Sequence, residues 1–250
     1  MRPPQNRHFL VVGAQRSGTT WLHDRLAVHP QIAMARPAQP EPKVFLSADP
    51  VDADTYRARF FDHAGDADLL GEKSTSYLES TTAPDRVAEA LGTPQVVVQL
   101  RDPVARAVSN WSFSRDHGVE TRALAEAMRA NLDGPAPWDP EASSVSPFAY
   151  LERGRYAGDV ARWRDRFPVH VQFLEEMLAV PSRIGELFGW LGVADDVRPR
   201  DDDPFNASST VAEELDEELL GRLRDYFRDS DAALADLLGR DLPWTDRVEP

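Results

Sequence analysis

The stretch "HFLVVGAQRSGTTWL", His8 to Leu22, constrains the fold more than any other part of the chain. Its short apolar run reads as a buried strand, Gly13 and Gly18 bracket a tight turn, and Thr19 opens a helical pattern. A strand that passes directly into a helix commits the chain to crossover connections and hence to parallel pairing. The same grammar recurs. Strands are predicted at His8–Ala14, Leu69–Ser74, Gln95–Arg101 and His170–Glu175, separated by the helical patterns "APDRVAEALG", "GDVARWRDRF" and "PSRIGELFGWLG". The expectation is an α/β fold with a central, mostly parallel sheet flanked by helices, and ligands in such sheets bind at the carboxyl ends of the strands.

The 250 residues suit a single α/β domain. Without cysteine there is no disulfide, thiolate metal site or cysteine nucleophile. No segment approaches the roughly 18 apolar residues of a membrane span, so a cytoplasmic location is expected. A net charge of −14 argues against nucleic acid and acidic membranes as partners, so positive charge for an anionic ligand must be local. Of 28 basic residues only Lys43 and Lys73 are lysine. The segment Asn131–Pro147, dense in proline, glycine and serine, reads as a long surface loop, either a plain insertion or a lid carrying Trp138. The tail from Val211 to Leu238 reads as two helices of core spacing.

A strand-to-helix turn aims unpaired backbone N–H groups and the positive end of the helix dipole at one point, where an anion fits. In "GAQRSGTTW" the hydroxyls of Thr19 and Thr20 and the charge of Arg16 reinforce that site. A nucleoside triphosphatase needs lysine after the second glycine to reach the β- and γ-phosphates, and here that position is Thr19. A second signal is "QLRDPVARAVSNW". Arg101 ends the valine-rich strand, Asp102 can cap the next helix with Pro103 in its first turn, and Ser109 lies about two helical turns on. An arginine fork and a serine hydroxyl from these positions suit a second phosphate.

Together these residues resemble the sulfotransferases that use 3′-phosphoadenosine 5′-phosphosulfate (PAPS) and release 3′-phosphoadenosine 5′-phosphate (PAP). The resemblance continues through "EPKVF", "GEKSTSYL", "RGRYAGDVARWRDRFP" and "LLGRDLPW", and is to the branch of heparan sulfate N- and 3-O-sulfotransferase domains and many bacterial relatives. It implies a three-layer, P-loop-like fold and a metal-independent transfer of the sulfuryl group. It also implies that Gln15, Arg16, Ser17, Gly18, Thr19, Thr20 and Trp21 grip the 5′-phosphosulfate while Arg101 and Ser109 grip the 3′-phosphate. With no γ-phosphate on the donor, the missing lysine is accounted for.

The resemblance further places the general base at Glu41, with Lys73 and Arg16 at the transferring group. Pro42 biases Glu41 toward an extended backbone, and Pro37 and Pro40 stiffen its approach. An extended segment would put Lys43 on the same face as Glu41, bringing both lysines to the centre. Glu72 has two readings, orienting Lys73 or the acceptor, or a structural salt bridge. Another sulfotransferase branch uses a histidine base, but His23, His29 and His63 read as structural. The branch's Lys-Gly-Arg loop is replaced by "DDDPFNASSTVAEEL", where Asn206, Ser208 or Ser209 would have to substitute. Two rival functions stay open, a magnesium-ATP phosphotransferase with Asp102 as metal ligand and a non-catalytic nucleotide-binding protein. The acidic surface favours a small-molecule, glycoside or lipid-linked sugar acceptor over a long polyanion.

Overall fold

A computed structural model describes residues 7–139, 145–197 and 215–245. The strands are β1 Arg7–Gly13, β2 Ile32–Met34, β3 Leu69–Lys73, β4 Gln95–Leu100 and β5 Val169–Phe173. All pair in parallel, in the order β2-β3-β1-β4-β5. The helices are α1 Thr19–Ala27, α2 Ala53–Phe60, α3 Ala83–Leu91, α4 Pro103–Asp116, α5 Leu124–Asn131, α6 Tyr156–Arg164, α7 Leu174–Ala179, α8 Ile184–Leu191 and α9 Glu217–Leu238. Contacts group the chain into two compact units, with boundaries at Leu100/Arg101 and Ala161/Arg162. The first unit holds the whole sheet with α1, α2, α3, α7 and α8. The second holds α4, α5, most of α6, and α9.

In the first unit both alternating sets of strand residues are buried. Phe9, Val11, Ile32, Met34, Leu69 and Val97 pack with Trp21, Leu22 and Leu26 of α1 and with Ile184, Leu187, Phe188 and Leu191 of α8. The intervening residues Leu10, Val12, Leu70, Val96 and Val98 are no more than 1% exposed, so the sheet is covered on both faces. Burial of two faces is why these strands are near-continuous apolar runs. At the end of β1 the register slips, with Val11 opposite Val97 and Gly13 opposite Val98, so the strand bulges as it enters the turn.

In the second unit Asp102 caps α4 by accepting from Val104 N at 2.9 Å, with Pro103 in the first turn. Val104, Ala107 and Trp111 of α4 pack with Leu124, Ala127 and Met128 of α5 and with Leu219, Leu223 and Phe227 of α9.

The four expected strands are present to within two residues at each end. β2 is an addition: its three residues follow His29-Pro30 and are too few to show a period. The tail departs from expectation, because α9 is one helix of 22 residues rather than two. The Asp-Ser-Asp at 229–231 does not break it, since Asp231 turns inward to accept from Trp244 Nε1 at 3.0 Å instead of competing for backbone. The start of the Asn131–Pro147 loop is anchored, with Asn131 donating to Phe148 O and accepting from Leu151 N. Trp138 within it is 40% exposed. Asn206, Ser208 and Ser209 lie outside the described residues. No helix among the described residues is long and apolar enough to cross a membrane.

Candidate active site at the carboxyl edge of the sheet

The turn between β1 and α1 is shaped by two left-handed residues, Arg16 at φ 68° and Gly18 at φ 75°. Glycine is favoured at position 18 because its φ is left-handed and a Cβ there would lie 2.6 Å from Leu174 Cδ1, which would have to shift. Gly18 precedes α1 without any side-chain cap, which leaves the first-turn N–H groups of Thr19 and Thr20 to other partners. The Ser17 side chain is fully buried and its hydroxyl has no hydrogen-bond partner among the described residues. A buried orphan hydroxyl beside an uncapped helix start fits an oxyanion such as a phosphate or sulfuryl group. Gln15 and Arg16 are half-buried in the same turn. Trp21 instead faces inward into the core, with the Arg25 guanidinium 4.1 Å over its ring.

The segment after β3 runs beside this turn. Lys73 pairs with Val11, Ser74 N donates to Val11 O at 3.1 Å, and Leu78 N donates to Val12 O at 2.9 Å. Here Glu41 is held from two directions. Lys73 Nζ donates to its Oε1 at 2.7 Å, while Thr75 donates its N–H to Oε2 at 3.0 Å and lies 3.0–3.2 Å from both oxygens through Oγ1. The pair is largely shielded, with side-chain exposures of 5% for Lys73 and 14% for Glu41. A carboxylate fixed by a cation and a backbone N–H has little rotamer freedom, as a proton acceptor aimed at one place requires. Sequence reasoning misses Thr75; its signal is a hydroxyl two residues beyond the lysine, in the turn that follows β3.

One expectation fails here, and Glu72 loses its salt-bridge reading. Lys43 does not share an extended face with Glu41, because it sits at φ 52° and starts a 3-10 turn over Val44–Leu46, with its N–H donating to Ser74 Oγ at 2.9 Å. Glu72 forms no salt bridge among the described residues, and Lys73 pairs with Glu41 instead. Neighbouring residues on a strand point to opposite faces, and Glu72 lies on the other one, fully buried. There it accepts from Tyr56 Oη and from Ser74 Oγ. Burial pushes the Glu72 carboxyl up, partly offset by these hydroxyl donors, and the Tyr56 and Tyr77 hydroxyls are raised by burial and by Glu72. This network also holds the Glu41 segment, since Tyr77 Oη accepts from Phe45 N at 3.2 Å.

In the second unit Arg101 and Ser109 are half-buried, Arg101 directly after β4 and Ser109 on the second turn of α4. Tyr156 Oη fixes the Arg101 main chain by donating to its carbonyl at 2.9 Å. Asp102 is clamped by Arg224, Nη1 to Oδ1 and Nη2 to Oδ2, each at 2.7 Å. Arg106 is fully buried, donating to Asn110 Oδ1 and to the Tyr150 carbonyl.

The three histidines weighed as alternative bases each have a hydrogen-bond partner. His29 is buried, bonded through both ring nitrogens to Ala194 O and Gln31 N, while His63 bonds Met34 O and His23 bonds the Asp24 carboxylate.

Residues 6–156 match the family described as a sulfotransferase domain. Human bifunctional heparan sulfate N-deacetylase/N-sulfotransferase 3 is 30% identical over 168 residues, which cover 64% of this chain and 19% of that protein. Human heparan sulfate glucosamine 3-O-sulfotransferase 3B1 is 22% identical over 263 residues, covering 94% of this chain and 64% of that one. The chain thus spans about a fifth of the length of the N-deacetylase/N-sulfotransferase relatives it matches. Among solved structures, a sulfotransferase from Alicyclobacillus acidocaldarius shares the fold with a TM-score of 0.75 at 24% identity, covering 97% of this chain and 98% of that one. Since the family match takes in more than half of the chain, including the β1 turn, Glu41, Lys73 and the Arg101–Ser109 segment, this protein belongs to the sulfotransferase family.

Proposed function

We propose that the chain acts as one sulfotransferase domain that moves the sulfuryl group of PAPS to a hydroxyl or amine of a small-molecule or carbohydrate acceptor. The observation that carries this reading is the Glu41 carboxylate, held by Lys73 and Thr75 beside a turn whose buried Ser17 hydroxyl and uncapped helix start suit an oxyanion. The donor supplies an activated sulfur whose bond to the 5′-phosphate oxygen breaks as the acceptor's bond to sulfur forms. Glu41 takes the proton released by the acceptor. Lys73, with three N–H donors of which one is on Glu41, and Arg16 stabilise negative charge on the departing phosphate oxygen. Gln15 to Trp21 form the 5′ grip, with Trp21 setting the seat of α1 from the core side. Arg101 and Ser109 take the 3′-phosphate.

The clamp on Asp102 weighs against the phosphotransferase reading. Both carboxylate oxygens are engaged by Arg224, so the strand-end acid has an arginine where that reading needs magnesium. Calorimetry with PAP and with ADP, each with and without magnesium, tests the choice. Tight binding of PAP that is indifferent to magnesium is expected; magnesium-dependent ADP binding with ATP turnover would overturn the proposal.

A further inference from the structure

Gln99 is a polar residue inside the valine run of β4 and is fully buried. A carboxamide in such a place must have its hydrogen bonds satisfied, and those of Gln99 lead to the β1 turn. Its main-chain carbonyl accepts from Ala14 N at 2.7 Å, and its Nε2 donates to Ser17 O at 2.7 Å. Across the sheet Gln99 is in register with Gln172 of β5, whose Nε2 donates to Gln99 Oε1 at 2.7 Å.

The direction of this ladder is set at the turn. Ser17 O only accepts, so Gln99 must present its NH2 there and its oxygen to β5, and Gln172 must in turn donate. The open end of the ladder therefore falls on Gln172, whose buried Oε1 makes no direct hydrogen bond among the described residues and whose carboxamide lies beside the His170 ring. In a trans peptide the C=O and N–H point in opposite directions. With the Ser17 carbonyl drawn down onto Gln99, the Gly18 N–H is turned away from the sheet, toward the space over the start of α1. The packing is close enough to hold that plane, since a Cβ on Gly18 would lie 3.2 Å from Gln99 Nε2.

We infer that Gln99 is a positioning residue for the donor, fixing the Ser17–Gly18 peptide so that its N–H meets the 5′-phosphate. The inference rests on the reading of the β1 turn as the 5′-phosphosulfate grip. Gln172 supports it by holding the Gln99 carboxamide in the required orientation.

The test uses PAP and adenosine 3′-phosphate, which lacks the 5′-phosphate, as calorimetric probes. Gln99→Met, similar in size but without an amide, is expected to bind PAP about tenfold more weakly and to bind adenosine 3′-phosphate as wild type does. Gln99→Glu keeps the shape but donates to Ser17 O only when protonated, so its PAP affinity relative to wild type should recover as pH is lowered. Gln172→Leu should lose less than Gln99→Met. Equal losses for the two probes, or an unchanged PAP affinity in Gln99→Met, would overturn the role of Gln99 while leaving the grip intact. A wild-type protein that does not prefer PAP to adenosine 3′-phosphate would overturn both.

Discussion

Replacing Gly18 by alanine tests the geometry of the β1 turn with one methyl group. Two costs arise from the structure. The backbone sits at φ 75° and ψ 21°, a left-handed conformation that costs an L-residue about 1–2 kcal/mol. The new Cβ would lie 2.6 Å from Leu174 Cδ1, about 1 Å inside ordinary carbon contact, and overpacking of that kind costs about 1–3 kcal/mol. The sum is roughly 2–5 kcal/mol of stability, read by urea or guanidinium unfolding. PAP affinity should fall as well, because relief of the overlap moves the start of α1. A Leu174→Ala background separates the terms: there Gly18→Ala should lose the Leu174 overlap and keep the conformational part, about 1–2 kcal/mol, with the 3.2 Å contact to Gln99 Nε2 as the remaining crowding. A cost in the wild-type background below about 0.5 kcal/mol, or one that is identical in both backgrounds, would refute the reasoning.

Other perturbations have expected outcomes of their own. Arg101→Ala and Ser109→Ala should weaken PAP binding far more than binding of adenosine 5′-phosphate; equal losses would remove the 3′-phosphate assignment. Asp102→Ala deletes both the α4 cap and the partner of Arg224 and should cost about 2–3 kcal/mol, whereas Arg224→Ala keeps the cap and should cost less in the same unfolding assay. His8 packs against Tyr56 and Phe61, and burial with the nearby Arg57 lowers its pKa to about 4. With the folded value below the ordinary 6.5, the unfolded chain binds the extra proton first. The contribution of His8 is therefore intact above pH 6.5 and is lost as pH falls toward 4, by up to about 3 kcal/mol. The stability difference between wild type and His8→Leu should change across that window, and a flat difference would contradict the burial argument.

The parts of the fold legible in the sequence are those where one physical rule acts alone. Strands β1, β3, β4 and β5 are apolar because both faces of the sheet are covered, and the glycines of the first turn are needed for shape. Asp102 was readable as a cap because capping is local. What escaped depends on partners distant in sequence. β2 is three residues that pair with β3, α9 runs unbroken because Asp231 finds Trp244, and Glu72 is set by Tyr56 on α2. At the site, Glu41 and Lys73 were named from family motifs, and the structure brings them into direct contact. The orientation of Lys43 was not legible, since a left-handed residue after a proline-rich run leaves no periodic trace. Gln99 did leave a trace, a polar side chain in a run of valines, but its meaning lay in Ser17, 82 positions away.

The central claim is that Glu41 drives transfer of a sulfuryl group from PAPS. Its most direct test is incubation of PAPS carrying labelled sulfur with an extract of the producing cells, comparing wild type with Glu41→Gln and confirming by calorimetry that both bind PAP. With wild type the label should pass to an organic acceptor, and with Glu41→Gln it should stay on the donor although nucleotide binding is retained. Full transfer by Glu41→Gln, or no labelled product from wild type in an extract where acceptor is present, would contradict the account.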